Sequence, residues 1–138
     1  MRTITVFLAV VMLAVGSGYA IAADESPSAT KGEIQKLVGT WKGVHGKNVE
    51  ATYTFWMEQN RLLGKAKYFN IGKQLYTKGE LSKINLNGNT LEFVVTYEQG
   101  LTGVFKLKLK GSRLKGRANK TDQAGRMREF GVSLKKSD

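Results

Sequence analysis

The chain has 138 residues, no cysteine, one histidine and a formal net charge of +11. That length suits one domain, and the lack of cysteine excludes disulfides, thiol catalysis, cysteine-ligated metals and a lipidated N-terminal cysteine. With a single histidine, neither a zinc site nor a histidine-based triad can be assembled in the usual way. The excess of positive charge favours anionic partners.

Arg2 supplies a positive charge at the start, and residues 4–15 follow with none. That apolar stretch has the length of a signal-peptide core and is short for a membrane span. Gly16, Ser17 and Gly18 break it, and Ala20-Ile21-Ala22 supplies the small-x-small pattern of a signal peptidase site. Residues 1–22 are therefore expected to be a signal peptide, cleaved after Ala22 or else after Ala23. The mature protein is expected to be periplasmic or secreted.

Residues 23–32, polar and holding the only proline, Pro27, read as a flexible leader. Residues 33–137 form the expected folded domain. Thr30-Lys31-Gly32-Glu33, across that boundary, has capping-box spacing, with Ile34, Leu37 and Val38 at helical intervals behind it. This predicts one or two helical turns, ended by Gly39.

From there each segment alternates with period two, the signature of half-buried strands. Eight strands are predicted, at residues 40–45, 49–58, 62–69, 73–84, 90–98, 101–110, 113–121 and 127–135. The breaks are short and carry Gly, Asn or Asp, as at Gln59-Asn60, Asn87-Gly88-Asn89 and Gly111-Ser112. None could hold a crossover helix, so strands adjacent in sequence should pair antiparallel. The fold class that follows is all-β: an eight-stranded antiparallel up-and-down barrel, closed because closure removes exposed edges.

Parity assigns an interior to each strand. Tyr53, Phe55, Tyr68, Phe93, Tyr97, Phe105 and Leu107 point inward, beside small residues such as Gly64, Gly79, Gly116 and Ala118. An eight-stranded barrel is wide enough to be filled by side chains or to hold one small ligand. Tyr53, Tyr68, Phe93 and Tyr97 are the candidate ligand-binding residues, a mostly apolar set with a few hydroxyls. The alternative is that the tyrosines stand at an open rim over a filled core.

At Gly39-Thr40-Trp41 the pattern gains a relative. A Gly-x-Trp opening the first strand after a short helical turn resembles the opening motif of lipocalins and the wider calycin group. The avidins begin with a similar Gly-Thr-Trp. The resemblance implies a barrel closed at one end by Trp41, with an arginine from near the last strand stacked on it. Arg128 shares the inward parity of Phe130, Val132 and Leu134, and Arg126 is the other candidate. The chain is shorter than a typical lipocalin and lacks its disulfide, and biotin contacts cannot be matched residue by residue.

Parts for catalysis are scarce. His45 sits beside Gly46 in a turn, where an exposed histidine is expected, and the glutamates fall on outer faces or strand ends. The chain is therefore expected to be neither an enzyme nor a metal or cofactor protein.

The outer face carries two features. Gly111-Ser112 reads as a two-residue hairpin turn, which sets Lys110 opposite Arg113, Lys108 opposite Lys115 and Lys106 opposite Arg117. Like charges directly opposed destabilise a sheet, so these six residues are a candidate anion-binding surface, the alternative being a merely solvated basic face. Trp56 and Leu63 face each other across Gln59-Asn60 and could seed a homodimer contact. The expected function is a non-catalytic binding protein holding a small, mostly apolar molecule. The rival is envelope association through the basic hairpin, on anionic lipid, lipopolysaccharide, another anionic polysaccharide surface or an acidic partner. Nucleic acid is not an expected partner.

Overall fold

A computed structural model describes residues 30–137. The expected signal peptide and residues 23–29 of the leader lie outside the described residues. Thr30 caps the only helix among them, α1 (Lys31–Leu37). Its hydroxyl accepts from the Glu33 N–H at 3.2 Å, and the Glu33 carboxylate accepts from the Thr30 N–H at 2.9 Å. Both halves of the capping box are present.

Eight strands follow: β1 (Gly39–His45), β2 (Val49–Glu58), β3 (Arg61–Asn70), β4 (Leu75–Asn87), β5 (Thr90–Tyr97), β6 (Thr102–Lys110), β7 (Arg113–Thr121) and β8 (Met127–Ser137). Each pairs antiparallel with its neighbours in sequence, and β8 closes the barrel on β1. This is the up-and-down barrel that the alternation and short turns predict. At the β2–β3 hairpin Gln59 and Asn60 both take positive φ, 51° and 62°, as a turn matched to strand twist requires.

β4 runs past the predicted stop at residue 84 because of a bulge. The β4–β5 register shifts between Ser82 and Asn85, where Lys83 takes a φ of 52°. The inserted residue resets the parity, so that Leu86 points inward opposite Leu91. Alternation alone reads that reset as the end of a strand.

Antiparallel winding gives the barrel two different ends. The turns at Gln59-Asn60, Gly88-Asn89 and Gly111-Ser112 gather at the end where β1 begins, and α1 lies there too. At this closed end Trp41 is fully buried and its indole N–H donates to the Leu37 carbonyl at 2.8 Å. That bond satisfies one of the helix's last carbonyls. The cation over the indole is Lys136, with Nζ 5.8 Å from the ring centroid; the same Nζ donates to the Lys36 carbonyl at 2.9 Å.

Arg128 and Arg126 do not reach Trp41. Both are exposed at the opposite end, where they pair with Asp122 at 3.6 and 3.3 Å. The parity argument for Arg128 holds along β8, but the strand direction carries it to the wrong end. Lys136 has the same parity and stands in register with Trp41.

The interior between the ends is packed. Phe55, Phe93 and Phe105 are almost wholly buried, with Phe93 and Phe105 stacked at 4.9 Å; full burial of such side chains stabilises by about 1.5–3 kcal/mol each. The inward glycines do not mark a void. A Cβ on Gly64 would lie 2.8 Å from Leu81, one on Gly79 would lie 2.6 Å from Val95, and one on Gly116 would strike the Lys106 carbonyl. Those positions are small because neighbours already fill them.

Candidate functional site

The barrel interior opens toward the other end, where the turns after β1, β3, β5 and β7 surround the mouth. A half-open cavity of about 390 Å³ lies there. Its floor is made by His45, the last residue of β1. Trp41, Gly43 and His45 share one parity, so His45 points into the barrel and is 7% exposed. The expectation of an exposed turn histidine is overturned, although the parity from Trp41 was available to find it.

Four aromatic rings surround His45: Tyr53, Tyr68, Phe105 and Phe130, with centroids 5.0–5.7 Å away. The polar atoms in this apolar setting satisfy one another. The Tyr68 hydroxyl donates to the Tyr53 oxygen at 3.0 Å, and Tyr53 lies 2.7 Å from His45 Nε2. A neutral His45 with its proton on Nδ1 accepts at Nε2 from the Tyr53 hydroxyl, and the Tyr53 oxygen accepts from Tyr68. Burial, and then the Lys120 charge, push the His45 pKa down to about 3. Burial also raises the phenols of Tyr53 and Tyr68 well above their ordinary value, and that of Tyr97 to about 12. At neutral pH the chain of groups is uncharged.

Cations stand above this neutral floor. Lys120, at the end of β7, continues the inward parity of Leu114, Gly116 and Ala118. Its Nζ lies 4.1 Å from the Tyr97 ring centroid. Burial, followed by repulsion from Lys73, lowers its pKa, because leaving water and approaching another cation both disfavour the charged form. Lys47 lines the same cavity from the β1–β2 turn. Asn48, Asn70 and Thr77 add neutral polar groups, while Val49, Leu75 and Phe130 supply apolar wall. Among the described residues no acidic side chain lines it. Asp122, on the adjoining turn, accepts from the Arg126 and Ala124 N–H groups at 2.9 and 3.0 Å. Those bonds, the Arg126 one first, and the nearby Arg128 charge hold its carboxyl below the usual range.

The four residues expected to bind a ligand therefore divide. Tyr68 and Tyr97 line the cavity, whereas Tyr53 and Phe93 lie beneath it in the packed core. His45, Lys47, Lys120 and Phe130 line it without having been singled out in the sequence. The inward parity of their strands marks His45, Lys120 and Phe130; Lys47, in a turn, carries no such signal.

The basic hairpin has the expected register, with Lys106, Lys108 and Lys110 opposite Arg117, Lys115 and Arg113. Two acids stand at its margins. Glu92 stands directly opposite Lys106 at 3.7 Å, and Glu129 reaches Arg117 at 2.9 Å. Trp56 and Leu63 do face each other outside the barrel, each partly buried. No group of three histidine or acidic side chains that could hold a metal occurs among the described residues.

No protein-family model matches the chain, and no curated protein matches it by sequence. The class that fold and interior define is a closed eight-stranded antiparallel barrel, plugged by a tryptophan at one end and open at the other. Its architecture is compatible with calycin-like folds.

Proposed function

We propose that the protein is a non-catalytic, lipocalin-like binding protein, exported from the cytoplasm, that holds one small molecule in the open end of its barrel. The observation that carries this reading is the asymmetry of the cavity wall. An uncharged aromatic floor is overlaid by Lys120 and Lys47 with no acidic side chain among the lining residues. A ligand suited to it has a mostly apolar body resting on Tyr68, Tyr97 and Phe130 and an acidic group directed at Lys120. The lining amides and hydroxyls fix its orientation.

The test uses an anionic naphthalenesulfonate dye whose fluorescence rises in apolar surroundings. Saturable binding with one site per chain is expected, with Lys120→Gln weakening it about tenfold or more, the worth of one charged contact. Absence of saturable binding, or a Lys120→Gln protein that binds as wild type does, would overturn the proposal.

A further inference from the structure

The hairpin cations belong to a longer array that appears only when the barrel closes. Lys110 on β6 stands opposite Arg113 on β7, Arg113 opposite Lys135 on β8, and Lys135 opposite Lys42 on β1. All four side chains are exposed. The rung continues through Thr52 on β2 to Lys67 on β3 and Lys78 on β4. Seven of the eight strands therefore contribute to one rung, and six of its seven positions are cations. None of these six makes an ion pair among the described residues; the acids that approach the hairpin are taken by Lys106 and Arg117.

Like charges directly opposed on a sheet are unfavourable, and here three such contacts run without a break from Lys110 to Lys42. Strand spacing of about 4.8 Å places those four charges on an arc about 14 Å long. Lys108 and Lys115 widen it by one rung. We infer that this arc is a binding surface for a linear acidic polysaccharide, whose carboxylates or sulfates lie along the row.

Three features favour that partner. The row follows the curved outside of a barrel, so a chain can track it where a flat bilayer touches only part. Among the described residues Val44 is the one exposed large apolar side chain beside it; Ile71, Leu75, Tyr76, Val104 and Met127 lie toward the open end. No aromatic side chain alternates with these four cations, so bases would find no stacking platform. Three of the four are lysines, compact point charges that suit anionic groups of varied orientation.

The experiment measures binding of heparin to protein purified from its own host, across a salt series. Phosphatidylglycerol vesicles and single-stranded oligothymidine serve as competitors. Wild type should bind heparin, more weakly as salt rises. Lys42→Gln with Lys135→Gln should weaken binding about five- to tenfold and lower the salt slope by about 1.5 to 2, roughly one counterion per lost contact. Lys106→Gln with Arg117→Gln, at positions already paired with acids, should stay within about twofold of wild type. Melting temperatures check that every variant is folded. The proposal is overturned if the Lys42/Lys135 pair binds like wild type, or if the Lys106/Arg117 pair loses as much. Vesicles or oligothymidine that bind tighter than heparin would overturn it as well.

Discussion

The two ends of the barrel bury aromatic rings of similar size and treat their polar atoms in opposite ways. At the closed end the Trp41 indole N–H has one fixed partner, the last helical carbonyl, and apart from the Lys136 charge over the ring its surroundings are packing. At the open end His45, Tyr53 and Tyr68 pass hydrogen bonds along a chain that stops at a cavity. The difference divides one small core into two kinds of packing. Apolar packing holds the closed end, while the open end accepts buried polar groups, a depressed histidine and a crowded lysine, and so turns a polar face toward the cavity.

The largest effect should come from the closed end. Trp41→Ala is expected to cost about 3–5 kcal/mol, the price of an aromatic core truncation. Tyr68→Phe at the mouth, which removes the hydroxyl bond to Tyr53, should cost less than about 1.5 kcal/mol, one hydrogen bond's net worth. Urea denaturation would measure both, and equal losses would abolish the contrast between the ends.

An intermediate effect should appear with pH. The folded chain keeps His45 neutral down to about pH 3, whereas the unfolded chain protonates it near its ordinary 6.5. Below pH 6.5 the unfolded state therefore binds the extra proton, and stability falls as pH falls, by up to about 1.4 kcal/mol per pH unit. Above 6.5 the full stability remains. Between pH 6.5 and 5 the loss should reach about 1–2 kcal/mol, and His45→Gln should flatten that part of the curve. A wild-type stability that does not change over this window would mean that His45 is not held neutral.

The smallest difference distinguishes two cations of the same strand. Lys136→Gln removes the charge over Trp41 and the bond to α1, and should cost about 0.5–1 kcal/mol. Arg128→Gln removes only an exposed ion pair and should stay within about 0.5 kcal/mol of wild type. Thermal melts of the two variants give the comparison; a larger loss for Arg128 would place the closing cation where the lipocalin resemblance first put it.

Local chemistry was legible in the sequence wherever a short interval of chain decides the outcome. The capping box at Thr30 and Glu33, the turn at Gly111-Ser112 and the inward parity of β2, β3, β5, β6 and β7 all belong to this kind. Each depends on residues that meet through backbone geometry a few positions apart. Even His45 and Lys120 were legible in this sense, since parity from Trp41 and Leu114 sends both inward. What parity does not convey is which end of the barrel an inward residue reaches. Arg128 and Lys136 are equivalent by alternation, and only the register of β8 on β1 gives Lys136 to the indole. The bulge at Lys83 escaped for the related reason that a positive φ in mid-strand answers to the strand across from it. In the row from Lys110 to Lys42 the turn at Gly111-Ser112 disclosed the first pair, but the step from Lys135 to Lys42 was beyond sequence reading. Those two lysines come from opposite ends of the folded chain and become neighbours only when the eighth strand closes on the first.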